Sequence, residues 1–202
     1  MRTRPVVVTA SIFIASLIWV GTVTAAFRAI AQFESTPCRA ADGPSAWPAA
    51  SSLVRTKNAP TLVMLVHPQC SCTRASLSEL EAAIEKSPRN MRIYVLVFRP
   101  RDAKPGWERS DTFSTATRLR GTRVIVDEDG REAKRFGMFT SGQTLLYDAD
   151  GHLRFEGGIT LLRGHVGLNS GREDVIRIAN GEAAKGTNPV FGCSIVSKGE
   201  KR

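Results

Sequence analysis

Two cysteines stand two residues apart in His67-Pro68-Gln69-Cys70-Ser71-Cys72. The apolar run Leu62 to Val66 precedes them, and a helical pattern follows. A sulfur pair between the end of a strand and the start of a helix points to thiol–disulfide chemistry. Unpaired backbone N–H groups and the positive end of the helix dipole favour a thiolate there. His67 either adds positive charge beside Cys70 or only packs at the strand end. An inert structural bridge is the bland alternative for the pair, but a helix start is a poor place to hide a thiol.

The chain holds four cysteines, Cys38, Cys70, Cys72 and Cys193, without the paired C-x-x-C spacing of a structural zinc site. Four cysteines allow three connectivities. Proximity in sequence favours a Cys70–Cys72 bridge, which leaves Cys38–Cys193 as a second, structural one. Exchange of Cys193 with Cys70 is the other arrangement. Residues i and i+2 of a regular helix point to different sides, so a Cys70–Cys72 ring closes only in a distorted turn. Strain of that kind makes a disulfide easier to reduce, which predicts an oxidant or isomerase rather than a strong reductant.

The elements that must hold these sulfurs are legible from pattern. Thr61 to Val66 reads as a strand buried on both faces. Leu77, Leu80 and Ile84 recur at helical spacing, and Ser87-Pro88 ends that helix. Ile93 to Phe98 and Val124 to Val126 read as further strands, with a helix over Ser110 to Leu119 between them. A helical turn or two spans Glu132 to Phe136. Thr144 to Tyr147 and Leu153 to Phe155 flank Asp148-Ala149-Asp150-Gly151 as an antiparallel hairpin. That turn and Asp127-Glu128-Asp129-Gly130 lack the ligand spacing of a calcium loop. Ser170 and Glu173 form a capping box for a last helix, stopped by Gly181. This order implies an α/β fold: a mixed sheet with helices on both faces.

The N-terminus is different. Basic Met1-Arg2-Thr3-Arg4 precedes Val6 to Phe27, which carries no charge and is long enough to cross a bilayer, for which about 20 residues suffice. The arginines keep that end in the cytoplasm and send the remainder out, where disulfides persist. A cleaved signal peptide is the rival, although its apolar region is usually shorter, roughly 7–15 residues. The predicted division is a signal-anchor helix over 1–31, a flexible tether over 32–57, the folded domain over 58–185 and a tail over 186–202. Net charge is +9, from 28 Lys+Arg against 19 Asp+Glu, spread without a basic run. That distribution and the lack of any nucleic-acid motif argue for a solvated surface or an anionic membrane neighbour, with no nucleic acid.

The layout of strand, cysteine pair at a helix start, and terminal hairpin with helix resembles the thioredoxin superfamily. Phe136-Gly137-Met138 followed by Thr144 to Gly151 is similar to the membrane-anchored TlpA-like and ResA-like branch. H-P-Q-C-S-C-T-R-A-S-L-S-E-L, S-G-Q-T-L-L-Y-D, G-G-I-T and R-G-H-V-G look closer still to bacterial thioredoxin-like proteins of the RedB group, over roughly 58–195. The resemblance implies a thioredoxin-like fold and a single-pass protein of the bacterial inner membrane facing the periplasm. Its partners are then protein thiols or disulfides, with Cys70 as attacking thiol and Cys72 as resolving thiol. His67, Pro68 and Gln143 shape such a site. Gln143 stands where the family places a cis-proline, and a cis bond there costs about 2.5–4 kcal/mol, so Gly142–Gln143 is expected trans. The pair also lacks one spacer residue of the family's C-x-x-C. No cofactor is implied, since no phosphate-cradling glycine loop is present. The alternative is a Sco-like copper-delivery protein. Cys70, Cys72 and His165 would be soft Cu(I) ligands if the loop Gly164-His165-Val166-Gly167 folds over the site; otherwise His165 is a solvent-facing loop residue. A non-catalytic docking domain is a third class.

Overall fold

A computed structural model describes residues 3–38 and 42–195. Met1 and Arg2 of the basic N-terminus, residues 39–41 of the expected tether and 196–202 of the expected tail lie outside the described residues. The chain divides into two compact units, Met1–Thr36 and Pro37–Arg202. The first is the single helix α1, Thr3–Ser35, whose described side chains are apolar and exposed along its middle. At 1.5 Å per residue it is about 50 Å long, and its apolar stretch is long enough to cross a membrane.

The second unit is built on a six-stranded sheet. The strands are β1 (Thr61–Val66), β2 (Arg92–Arg99), β3 (Thr122–Glu128), β4 (Gln143–Tyr147), β5 (Leu153–Gly158) and β6 (Thr187–Asn188), in the order β3-β2-β1-β4-β5-β6. β1, β2 and β3 run parallel, and β4 is antiparallel to both β1 and β5. Such parallel pairs need crossover connections. α2 (Thr73–Lys86) supplies the first and α3 (Asp111–Arg118) the second. α4 (Arg131–Arg135) and α5 (Ser170–Ala179) follow β3 and β5. This is the thioredoxin-like mixed sheet that the sequence implies.

Strand alternation sorts the core into two layers. Leu62, Met64 and Val66 of β1, with Ile93, Val95 and Val97 of β2, face Leu77, Leu80 and Ile84 of α2, Ala116 of α3 and Val175 of α5. Val63, Leu65, Tyr94, Leu96, Leu145 and Tyr147 face the other way, toward Ala133, Phe136 and Met138. Burial on both faces explains the unbroken apolar runs of β1 and β2.

Three expectations differ from the structure. The segment 42–57 is packed rather than a flexible tether. Trp47 stands edge-on to Phe136 and Tyr147 at 4.9 and 5.2 Å, Leu53 is buried, and Trp47 N–H donates to Gly151 O at 2.8 Å. α4 is too short to cover the second layer alone, so these apolar side chains complete it. At the other end, residues 187–195 do not form a separate tail. β6 joins the sheet edge beside β5, and Val190 and Phe191 are buried. The cap of α5 is Asn169, whose side chain accepts the Arg172 N–H at 2.7 Å. The Ser170 hydroxyl instead bonds Asn188 Oδ1 at 3.0 Å, which ties α5 to the segment carrying β6.

Candidate functional site

β1 ends at Val66, and the chain turns at once. Cys70 N–H donates to His67 O at 3.1 Å, closing a turn with Pro68 in its second position, where the fixed φ of proline fits. Thr73 N–H then donates to Cys70 O at 3.1 Å, and Ala75 N–H to Cys72 O at 3.1 Å. Cys72 is the N-cap residue of α2 and makes no side-chain cap bond. Both cysteines therefore stand where strand hands over to helix, as their spacing predicts.

The pairing is not the one expected from proximity in sequence. The disulfide joins Cys70 to Cys193, with Cα atoms 6.2 Å apart, while Cys72 and Cys38 are free thiols. Neither a Cys70–Cys72 ring nor a Cys38–Cys193 staple is present. The reading of an easily reduced couple rested on that ring and loses this support. The physical reason is the returning chain. Residues 190–195 run as an extended arm beside the loop 139–141, so that Ser141 N–H donates to Cys193 O at 2.9 Å and Ile195 N–H to Phe139 O at 2.8 Å. Thr140 and Ser194 form the antiparallel bridge between them. Cys193 is thereby delivered to Cys70, and Cys70 is only 4% exposed. The sulfurs of Cys70, Cys72 and Cys193 all lie within 4.8 Å of one another.

The loop that receives the arm is held from two sides. Gln143 is fully buried; its Oε1 accepts the backbone N–H groups of Phe139 and of Thr140, the latter at 2.7 Å. It shapes the site by stiffening this loop. The Gly142–Gln143 bond is trans, as are all peptide bonds among the described residues. Gly142 N–H donates to Leu65 O at 2.7 Å, and the Ser141 hydroxyl accepts His67 N–H at 2.8 Å while lying 2.7 Å from the Thr73 hydroxyl. Ser141 thus touches the cysteine turn through its side chain and the arm through its backbone.

His67 packs rather than supplying positive charge. Its ring stacks on Phe98 at 5.8 Å and meets Trp107 edge-on at 5.4 Å. Burial pushes its pKa below 6.5, and Nδ1 accepts the Gln69 N–H at 3.2 Å, a bond that requires the neutral ring at that nitrogen. Trp107, in the loop that follows Pro105-Gly106, packs against the domain as the aromatic wall beside His67 and Phe98. Cys38 also belongs here. Its N–H donates to Val190 O at 2.8 Å and its thiol to Gly192 O at 3.0 Å, while the Arg163 guanidinium donates to Cys38 Sγ at 3.2 Å and to Gly192 O.

His165 is not brought to the sulfurs. It is exposed, its Nδ1 lies 3.0 Å from Arg163 O in its own loop, and the sulfur cluster contains no histidine. The Sco-like ligand set is therefore not assembled.

No protein-family model matches the chain, and no curated protein matches it. Solved structures do. An uncharacterized conserved protein from Geobacillus kaustophilus is 16% identical, with a TM-score of 0.58 over 83% of this chain and 95% of its own. A hypothetical protein from Sinorhizobium meliloti is also 16% identical, with a TM-score of 0.58 over 82% of this chain and 96% of its own. A thioredoxin-like protein solved in its oxidized form is 16% identical, with a TM-score of 0.47 over 74% of this chain and 97% of its own. At this identity the likeness to the first two shows a shared fold.

Proposed function

We propose that this chain is a membrane-anchored thiol–disulfide oxidoreductase acting on protein thiols, with Cys70 as its reacting sulfur. One observation carries the reading. The Cys70–Cys193 disulfide stands at the end of β1, where the chain hands over to α2. An incoming partner thiolate can exchange with a disulfide placed there, and no cofactor has to carry the electrons. A partner dithiol would take up the disulfide in two steps, leaving Cys70 and Cys193 as thiols and itself oxidised. α1 would anchor the chain in the bacterial inner membrane. The basic N-terminus would stay inside and the domain would face the periplasm, where a disulfide survives. The motifs around Phe136-Gly137-Met138 and His67 to Cys72 support the TlpA-like, ResA-like and RedB-like reading.

The test mixes oxidised full-length protein in detergent with a reduced dithiol peptide. The peptide becomes oxidised while one equivalent of Cys70 and Cys193 thiol appears, and Cys70→Ser abolishes the transfer. If wild type oxidises the peptide no faster than Cys70→Ser does, the reading fails.

A further inference from the structure

Cys70 has two sulfurs within reach, and resolving a mixed disulfide requires only one. We infer that Cys193, carried on the arm 190–195, is the leaving and resolving thiol of Cys70, in place of its sequence neighbour Cys72. This deepens the proposed reaction and rests on it.

The arm is held by contacts that do not involve the disulfide. Cys38 N–H, Ser141 N–H and Ile195 N–H each bond across to or from it, at 2.8, 2.9 and 2.8 Å. The Cys38 thiol and the Arg163 guanidinium both donate to Gly192 O. Val190 and Phe191 are buried. The approach is close enough to demand glycine: a Cβ on Gly192 would lie 1.8 Å from Ser141 O, and one on Gly157 would lie 2.2 Å from Asn188 O. A reduced Cys193 therefore stays docked beside Cys70, and its attack is intramolecular. Tethered groups act at effective concentrations of roughly millimolar or above. Cys72 is placed differently. It shares one rigid turn with Cys70, its carbonyl already engaged by Ala75 and Ser76 of α2. Closing a ring across a single residue would unwind that turn.

The step balances. A partner thiolate attacks Cys70 Sγ, forming the partner–Cys70 bond and breaking Cys70–Cys193. Cys193 leaves as a thiolate and takes a proton from water. The partner's second thiolate then attacks its own bonded sulfur, and Cys70 leaves. The partner has lost two electrons and two protons, and the protein holds two thiols. Run backwards, Cys193 is the thiol that expels a partner from Cys70.

The test runs the reverse direction with oxidised glutathione as the probe. Reduced full-length protein in detergent is mixed with it, quenched in acid over time, and the adduct on Cys70 is followed by peptide mass spectrometry. Cys193→Ser is expected to keep glutathione on Cys70 at least tenfold longer than wild type, while Cys72→Ser clears it at the wild-type rate. The first bridge formed in wild type is expected to be Cys70–Cys193, a readout that needs no variant to fold. Retention in Cys72→Ser with normal clearance in Cys193→Ser, or a first bridge of Cys70–Cys72, overturns the inference and leaves the oxidoreductase reading standing. If Cys70 takes up no glutathione in any of the proteins, that reading falls and the inference with it.

Discussion

His67 shows how a single side chain turns geometry into a pH dependence. Its folded pKa lies below 6.5 because burial disfavours the imidazolium. Below pH 6.5 the unfolded chain binds this proton before the folded one does, so stability falls as pH drops from 6.5 through the folded pKa. Above 6.5 the group contributes nothing to the slope. The Tm of the full chain is expected to be lower at about pH 5 than at about pH 7.5, and His67→Phe should lose less over that interval. An identical drop in the variant would show that this ring is not the group responsible. Gly192 makes a second prediction at this scale. A side chain there collides with Ser141 O, so Gly192→Val should lift the arm at a cost of about 1–3 kcal/mol. After reduction, Cys193 should then be alkylated at least about tenfold faster, because it no longer stays docked. Equal alkylation rates would contradict the docking.

Between elements, the join of α2 to α5 is a buried ion pair that sequence pattern does not show. Glu79 is fully buried and accepts Gly167 N–H at 2.6 Å, Asn169 Nδ2 at 3.1 Å and the Arg172 guanidinium at 2.6 Å. Glu79→Ala strands the Gly167 and Asn169 donors, while Arg172 keeps Glu173 at 2.9 Å, so it should cost about 1–3 kcal/mol in denaturant unfolding. A loss below about 1 kcal/mol would mean that water already satisfies those donors. On the opposite layer, Glu132 pins the segment that precedes β1. Burial opposes its charge, yet the Ser52 N–H, the Ser51 and Ser52 hydroxyls and Arg135 outweigh burial and hold its pKa below the ordinary value. Glu132→Ala is expected to speed amide exchange at residues 51–54 while β1 stays protected. Unchanged exchange there would show that Trp47 and Leu53 hold the segment without it.

At the scale of the molecule, the chain has two units of different composition. α1 has the length and composition for hydrocarbon, whereas Pro37–Arg202 carries its own two-layered core and its own disulfide. A chain lacking residues 1–36 should therefore leave the membrane fraction, fold, and form the same Cys70–Cys193 bridge by disulfide mapping. Full-length protein should stay with membranes after a high-salt wash. Loss of the bridge in the shortened chain would show that the second unit does not fold alone. The bridge itself closes 123 residues, and in the loop-entropy picture a closure of that size stabilises by about 4–5 kcal/mol.

Local pattern alone determined much of this protein. The apolar run of β1, the helical recurrence of Leu77, Leu80 and Ile84, the hairpin about Asp148 to Gly151 and the position of Cys70 and Cys72 at a helix start all follow from residues close together in the chain. These features depend on periodicities of two and 3.6 and on turn chemistry, which act over a few residues. Only the tertiary structure decided which sulfur meets Cys70, which segment covers the second layer and whether His165 reaches the site. Each of those depends on where the chain returns after dozens of residues. Pattern reads Ser170 as the cap of α5, but its hydroxyl bonds Asn188, arriving from the far end, and Asn169 makes the cap instead. Sequence spacing ranks Cys72 first for Cys70, but close packing of glycine-lined backbones brings Cys193 there, and that contact exists only in three dimensions.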